Sequence, residues 1–153
     1  MEVNEAKTLI AAMEALVNTR LKQFIYGTDD ETLASYLGKE LLRTESTIAF
    51  AESCTGGLAS SLVTDVPGSS EYLLGSAVTY SNMAKHKLIN VSEESLESYG
   101  AVSWQVACEM AQGVRELFGT TYGVGITGIA GPGGATEDKP VGLVYLSLIH
   151  ISE

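Results

Sequence analysis

The sequence predicts an α/β protein, a three-layer α/β/α sandwich around a central, mostly covered mixed sheet. Three observations carry that expectation. Segments rich in apolar and β-branched residues alternate with segments whose apolar residues recur at helical spacing. The strand segments are apolar almost throughout, as strands covered on both faces are. Three of them end in loops bearing hydroxyl groups, at Ser53, Tyr80 and Thr127, and open α/β sheets hold their ligands at such strand ends.

The chain begins with Leu9, Ile10, Met13, Leu16, Val17, Leu21 and Phe24 at helical spacing, an amphipathic helix of about five turns. Ile25-Tyr26-Gly27 ends it. Thr28-Asp29-Asp30-Glu31 reads as a capping box with Thr28 as the N-cap, and Leu33, Leu37 and Leu41 mark the inner face of a second helix. Both helices are expected to pack and to carry no chemistry. Gly38-Lys39 is not a phosphate-binding loop, because leucine stands at position 33 where that motif needs glycine.

A strand over Thr47–Ala51 leads into Ala51-Glu52-Ser53-Cys54-Thr55-Gly56-Gly57, and an amphipathic run with Leu58, Leu62 and Val63 on its buried face leads out. A strand, a tight turn and a helix start thus frame a serine, a cysteine and a threonine. Unpaired N–H groups at a helix start can hold an anion or an oxyanion, and a serine beside them is a candidate nucleophile. A plain capping turn has the same composition.

Asp65–Ser70 is a turn cluster, and Leu73–Tyr80 a second strand. A short helix follows, capped by Ser81 or Asn82, with Lys85, His86 and Lys87 as the most concentrated positive patch of an acidic chain. Lys85 stands five residues past Tyr80, so it can fold back toward the strand end; a solvated basic helix face is the alternative. His86 reads as a surface residue.

Ser92–Glu97 is a short capped helix stopped by Gly100. Ser103 caps a longer one with the stripe Val106, Met110, Val114 and Leu117, closed by Gly119. Cys108 lies off that stripe, and Trp104 at its start is assigned to the core. Tyr122–Thr127 is a third strand. Its Gly123-x-Gly125-x-x-Gly128 matches the dinucleotide fingerprint letter for letter, but the glycines lie inside the strand and Ile129–Gly134 cannot open a helix, so the match is rejected. The loop Thr127–Gly134, running on through Lys139-Pro140, is long and glycine-dense enough to serve as an anion nest at a strand end. Val141 to Ile151 reads as a buried strand with no helix after it, an unfinished layer.

The length fits one domain over residues 1–153, with a helical lead-in over 1–44 and an α/β core over 45–153. A net charge of −10 argues against nucleic acid as a partner. The acidic N-terminus is no signal peptide, and no apolar run spans a bilayer, so no membrane partner is expected. Two cysteines, Cys54 and Cys108, make no disulfide framework, which fits a reducing, cytoplasmic setting. Two histidines are too few to favour a His-based triad or a metal site.

Three motifs together resemble the CinA C-terminal domain family: Ala51–Gly57; Val78-Thr79-Tyr80-Ser81-Asn82 with Lys85; and Thr127–Gly134 with Lys139-Pro140-Val141-Gly142. Gly100–Ser103 and Asp65–Ser70 fit it too, in one colinear order over about residues 45–150. The resemblance implies a nicotinamide-nucleotide amidase, converting nicotinamide mononucleotide and water to nicotinate mononucleotide and ammonia, with no cofactor and no metal. It implies Ser53 as nucleophile with Tyr80 and Lys85 as the other catalytic positions. Thr55, Gly56, Gly57, Asn82, Thr127, Gly128, Gly131 and Gly133 are the matching candidates for substrate contact. It also implies a C-terminal piece of a longer, two-domain protein; the open layer leads to the expectation of a homo-oligomer, such as a dimer, that covers it. Family members continue into a Gly-Asp-Arg segment and a closing helix, so an arginine for the phosphate is expected to be missing here.

The chemistry suits the residues. With no suitable histidine, a buried and hence neutral Lys85 takes the Ser53 proton, directly or through the Tyr80 hydroxyl. Backbone N–H groups near Cys54–Gly56 then hold the oxyanion, at about 2.7–4 kcal/mol per donor. The phosphate has two candidate seats, the glycine loop and a helix N-terminus. Alternatives are Cys54 as the nucleophile, a nucleotide-binding module without turnover, and a structural interaction domain.

Overall fold

A computed structural model describes residues 3–150 of the chain. The chain forms two compact units, Met1–Tyr36 and Leu37–Glu153. In the first, α1 spans Val3–Leu21 and runs into a short 3-10 turn at Lys22–Phe24. No described residue of α1 is buried; the stripe from Leu9 to Leu21, expected to pack, stays exposed. The capping box falls four residues later than expected. Thr32, not Thr28, caps α2 (Leu33–Arg43): its Oγ1 accepts the Ser35 amide at 3.1 Å, and Ser35 Oγ accepts the Thr32 amide at 3.0 Å. Thr-x-x-Ser meets the reciprocal geometry that Thr-x-x-Glu usually meets.

The second unit is built on a four-stranded sheet in the order β2-β1-β3-β4, with β1 Ile48–Glu52, β2 Leu73–Val78, β3 Tyr122–Gly128 and β4 Val144–His150. β1 runs parallel to β2 and β3, and β4 runs antiparallel to β3. The sheet is mixed, as expected. On one face α2 supplies Leu37 and Leu41, and α3 (Leu58–Thr64) supplies Val63, against Phe50, Val124 and Ile126. On the other, α4 (Asn82–Ile89), α5 (Glu93–Tyr99) and α6 (Trp104–Phe118) pack Ile89, Leu96, Val106, Met110 and Val114 against Ala49 and Ala51.

The register decides where the loops emerge. Glu52 pairs with Val78 on one side and with Ile126 on the other. Ser53 and Thr79 therefore leave the sheet on one line with Thr127, which continues β3, because the three follow residues that lie abreast.

The glycines of the rejected fingerprint have a packing role. A Cβ on Gly123 would overlap the carbonyl oxygen of Ala111, and one on Gly125 that of Ala107. Their absence lets α6 lie directly on β3.

Several side chains sit otherwise than the pattern suggests. β4 begins at Val144, not Val141, and alternates instead of being buried: Val144, Leu146 and Leu148 are 49%, 66% and 58% exposed. Tyr145, Ser147 and Ile149 are half-buried on the α6 side, while on the opposite face Leu148 borders a groove with Leu37 and Leu41 of α2. Ile151 lies outside the described residues. In α3 the buried positions are Ser60 and Val63, with Leu58 and Leu62 exposed, because a buried carboxylate draws Ser60 inward. At the end of α6 Phe118 packs on the core in place of Leu117, and Trp104 is exposed.

Candidate active site

Glu52 ends β1 and is fully buried. Its carboxylate accepts the amides of Gly57 and Ala59 at 3.1 Å and of Ser60 at 2.8 Å, and the Ser60 hydroxyl at 2.8 Å. The turn 53–57 is thus folded back onto the strand that feeds it. Gly56 and Gly57 have positive φ, +62° and +101°, which only glycine adopts cheaply. Burial pushes the Glu52 carboxyl up, but the Thr55 and Ser60 hydroxyls and the amides of Ser60 and Ala59 outweigh it and hold the group below the usual carboxylate range. The first amides of α3 are spent on this internal anion, so that helix start is no seat for a substrate phosphate.

Ser53 follows directly. Its amide donates to Ile126 O at 2.9 Å and its carbonyl accepts the Gly56 amide at 3.1 Å, which pins the backbone and leaves the hydroxyl free to react. Lys85 comes to it from α4. Ser81 caps that helix, its Oγ accepting the Ala84 amide at 3.1 Å, which aims the first turn back at the strand end. Lys85 is 1% exposed. Its Nζ lies 2.9 Å from Ser53 Oγ, 2.8 Å from Thr79 O and 3.3 Å from Tyr80 O. No described carboxylate pairs with it. Burial pushes the ammonium below its usual range, opposed in part by Cys54. The basic patch read from the sequence is therefore not a solvated face at Lys85.

A cavity of about 290 Å³ opens over this pair. Ser53, Cys54, Tyr80 and Lys85 form its floor and one side, Ala101 and Val102 a second side, and Thr127–Gly131 with Gly133 and Gly134 the third. Thr127 is buried and its hydroxyl donates to Ala101 O at 2.8 Å, tying two of the walls together. Tyr80 is 75% exposed, and its hydroxyl bonds to no described residue; its backbone carbonyl, not its phenol, meets Lys85. Cys54 lines the cavity, but burial, only partly offset by its own amide, Lys85 and the Thr55 amide, pushes its thiol up.

The sequence candidates divide accordingly. Ser53, Tyr80, Lys85, Thr127, Gly128, Gly131 and Gly133 line one cavity. Thr55, Gly56 and Gly57 do not; they build the turn. Asn82 faces a different groove with Met83, His86 and Glu93. Sequence reasoning missed Glu52, Thr79, Ala101 and Val102. The signal for Glu52 was present: a carboxylate closing an otherwise apolar strand.

A larger groove of about 750 Å³ runs along α1 and residues 25–29, but it holds no nucleophile beside a base. Among the described residues no group of three or more His, Cys, Asp or Glu side chains is placed to hold a metal ion, and no helix is long and apolar enough to cross a membrane.

Comparison with known proteins places the chain among relatives of one family. The chain is 55% identical over 143 residues to a putative competence-damage inducible protein of Moorella thermoacetica, covering 94% of this chain and 34% of that protein. It is 47% identical to a CinA-like protein of Prochlorococcus marinus, with the same 94% and 34% coverage. The chain thus spans about a third of the length of the curated relatives it matches. Among solved structures it superposes on the competence/damage inducible protein CihA of Agrobacterium tumefaciens with a TM-score of 0.77, at 40% identity over 82% of this chain and 76% of that one. It superposes on a CinA superfamily protein of Escherichia coli with a TM-score of 0.71, at 31% identity over 89% and 87%. The profile of the CinA C-terminal domain matches residues 30–152, and with it the whole sheet and every wall of the Ser53 cavity: the chain belongs to the CinA C-terminal domain family.

Proposed function

We propose that the chain is a serine amidase that hydrolyses the carboxamide of nicotinamide mononucleotide to nicotinate mononucleotide and ammonia. The observation that carries this reading is the buried contact of 2.9 Å between Lys85 Nζ and Ser53 Oγ. A neutral amine has two N–H donors and one lone pair. Thr79 O and Tyr80 O take the two donors, at 2.8 and 3.3 Å, so the lone pair is left for the Ser53 proton. Desolvation favours that neutral form.

In the first step Lys85 takes the hydroxyl proton as Ser53 Oγ bonds to the carboxamide carbon. The amides of Cys54 and Thr55, which bond to no backbone carbonyl, are the donors for the oxyanion. The C–N bond then breaks, and the Lys85 ammonium gives its proton to the departing nitrogen, releasing ammonia. Water attacks the resulting ester, Lys85 takes its proton, and Ser53 regains a hydroxyl as the carboxylate leaves. With the α3 start filled by Glu52, the phosphate goes to the glycine loop over 128–134.

The test is ammonia release from nicotinamide mononucleotide by the purified chain, with Ser53→Ala beside Cys54→Ala. Release that is lost with Ser53→Ala and kept with Cys54→Ala supports the reading. Binding of the nucleotide without release points to a module that holds it without turnover, and loss in Cys54→Ala alone moves the nucleophile to the thiol.

A further inference from the structure

Among the described residues the apolar stripe of α1 has no cover. Seven large apolar side chains from Leu9 to Phe24 recur along one side of the helix and its closing turn, each between 42% and 72% exposed. Helices in proteins are held chiefly by burying such a face, and one of 19 residues gains little from propensity alone. The groove of about 750 Å³ borders the stripe, lined by Ile10, Met13 and Val17 of the helix and by Ile25 and Gly27 after it. Glu14 and Asp29 line it too, so its occupant brings cations as well as apolar groups. All of these residues belong to the unit Met1–Tyr36.

The charges of α1 select the occupant. Glu5 stands in the first turn and Arg20 in the last, fifteen residues apart, about 22 Å along the axis, so they cannot meet within one helix. Neither forms an ion pair with a described residue. Ala6 lies one heptad before Met13 and Arg20 one heptad after it, so both fall in line with the stripe. Two copies of this helix side by side in the same direction would set Glu5 on Glu5 and Arg20 on Arg20. In opposite directions about Met13, Leu9 faces Val17 and Ile10 faces Leu16 of the other copy. Arg20 then lies over Ala6, whose small side chain leaves room, with Glu5 of the other copy beside it. The helix dipoles also oppose in that arrangement.

We propose that two copies of the chain pair through α1, antiparallel about a two-fold axis at Met13, with Glu5 of each copy on Arg20 of the other. The same patch serves both copies, so the contact closes on itself and the assembly stops at two. The pairing is independent of the amidase reading.

The test is sedimentation equilibrium of the chain and its variants. The unaltered chain should be dimeric at about 100 μM and dissociate on dilution. Met13→Glu sets two carboxylates face to face at the axis and should raise Kd about 100-fold or more. Glu5→Arg and Arg20→Glu should each raise it about 10-fold, the scale of two exposed ion pairs turned repulsive. The double variant Glu5→Arg/Arg20→Glu should bind at least about threefold tighter than either single one, because the pairs are restored with their signs exchanged. Since α1 has no buried residue, the urea midpoint of the Leu37–Glu153 unit should stay the same in all four variants. A chain that is monomeric at about 100 μM overturns the proposal, as does a dimer that Met13→Glu leaves intact. A double variant no tighter than its parents overturns it too.

Discussion

Glu52 and Ser60 meet through two bonds of 2.8 Å, one from the Ser60 amide and one from its hydroxyl, so that the last residue of β1 anchors the first turn of α3. Removing the carboxylate leaves the amides of Gly57, Ala59 and Ser60 without their acceptor in a buried place. Glu52→Ala is expected to cost roughly 2–4 kcal/mol, read as a shift in the urea midpoint, and Glu52→Gln less, because one amide oxygen still accepts.

The same carboxylate predicts an acid dependence. Its pKa is held below the unfolded value of about 4.5, so the unfolded chain binds the proton more readily. The stability it adds is present above that pH and is lost as the pH falls through the lower, folded value. Urea unfolding of the unaltered chain and of Glu52→Gln should differ by a constant amount above about pH 4.5 and converge as the pH falls below it toward that acid limit. A constant difference down to pH 2 (about the lower practical limit) would exclude Glu52 as its source.

Lys85 predicts the opposite limb in activity. Its ammonium is pushed below the ordinary 10.5 by burial, and only the neutral amine accepts the Ser53 proton. Ammonia release should rise with pH and level off through an apparent pKa below 10.5. Lys85→Met should lower kcat by about 10²–10⁴-fold, the contribution typical of a positioned base, and abolish that limb. A limb that survives in Lys85→Met would assign it to another group.

Gly125 predicts a packing defect. A Cβ there meets the carbonyl of Ala107 on α6, which is backbone and cannot rotate away. Gly125→Ala should destabilise by about 1–3 kcal/mol, whereas Gly133→Ala, where nothing lies within 4 Å, should change the urea midpoint little.

Leu146 and Ile126 face each other across β3 and β4 yet differ in exposure, 66% against 4%. Ile126→Ala should cost about 2–5 kcal/mol, and Leu146→Thr no more than about 0.5 kcal/mol. A large loss in Leu146→Thr would mean that the open face of β4 is covered in solution.

Most of this architecture is legible in the residues alone. The four strands, the caps at Ser81, Ser92 and Ser103, and the hydroxyl-bearing loops follow from local pattern. What is not legible is set by partners distant in sequence. Leu58 and Leu62 look like the inner face of α3 until Glu52 draws Ser60 inward. Val144, Leu146 and Leu148 read as core because apolar character does not tell an outer strand from an inner one. The pattern leaves open whether Lys85 meets Ser53 directly or through the Tyr80 hydroxyl; the structure shows the direct contact, with the Tyr80 carbonyl beside it, since a strand end presents backbone as readily as side chain. The contact between Ser53 and Lys85 needs the register as well as the motifs: thirty-two residues separate them, and the parallel pairing of β1 with β2 brings them together.

The carboxylate inside the turn also acts as a built-in counterion. Dissolved chloride, sulfate or phosphate finds the start of α3 already neutralised, and gains nothing by settling beside the serine. The turn that carries Ser53 is thereby insulated from the salt around it, by a charge that the chain supplies for itself.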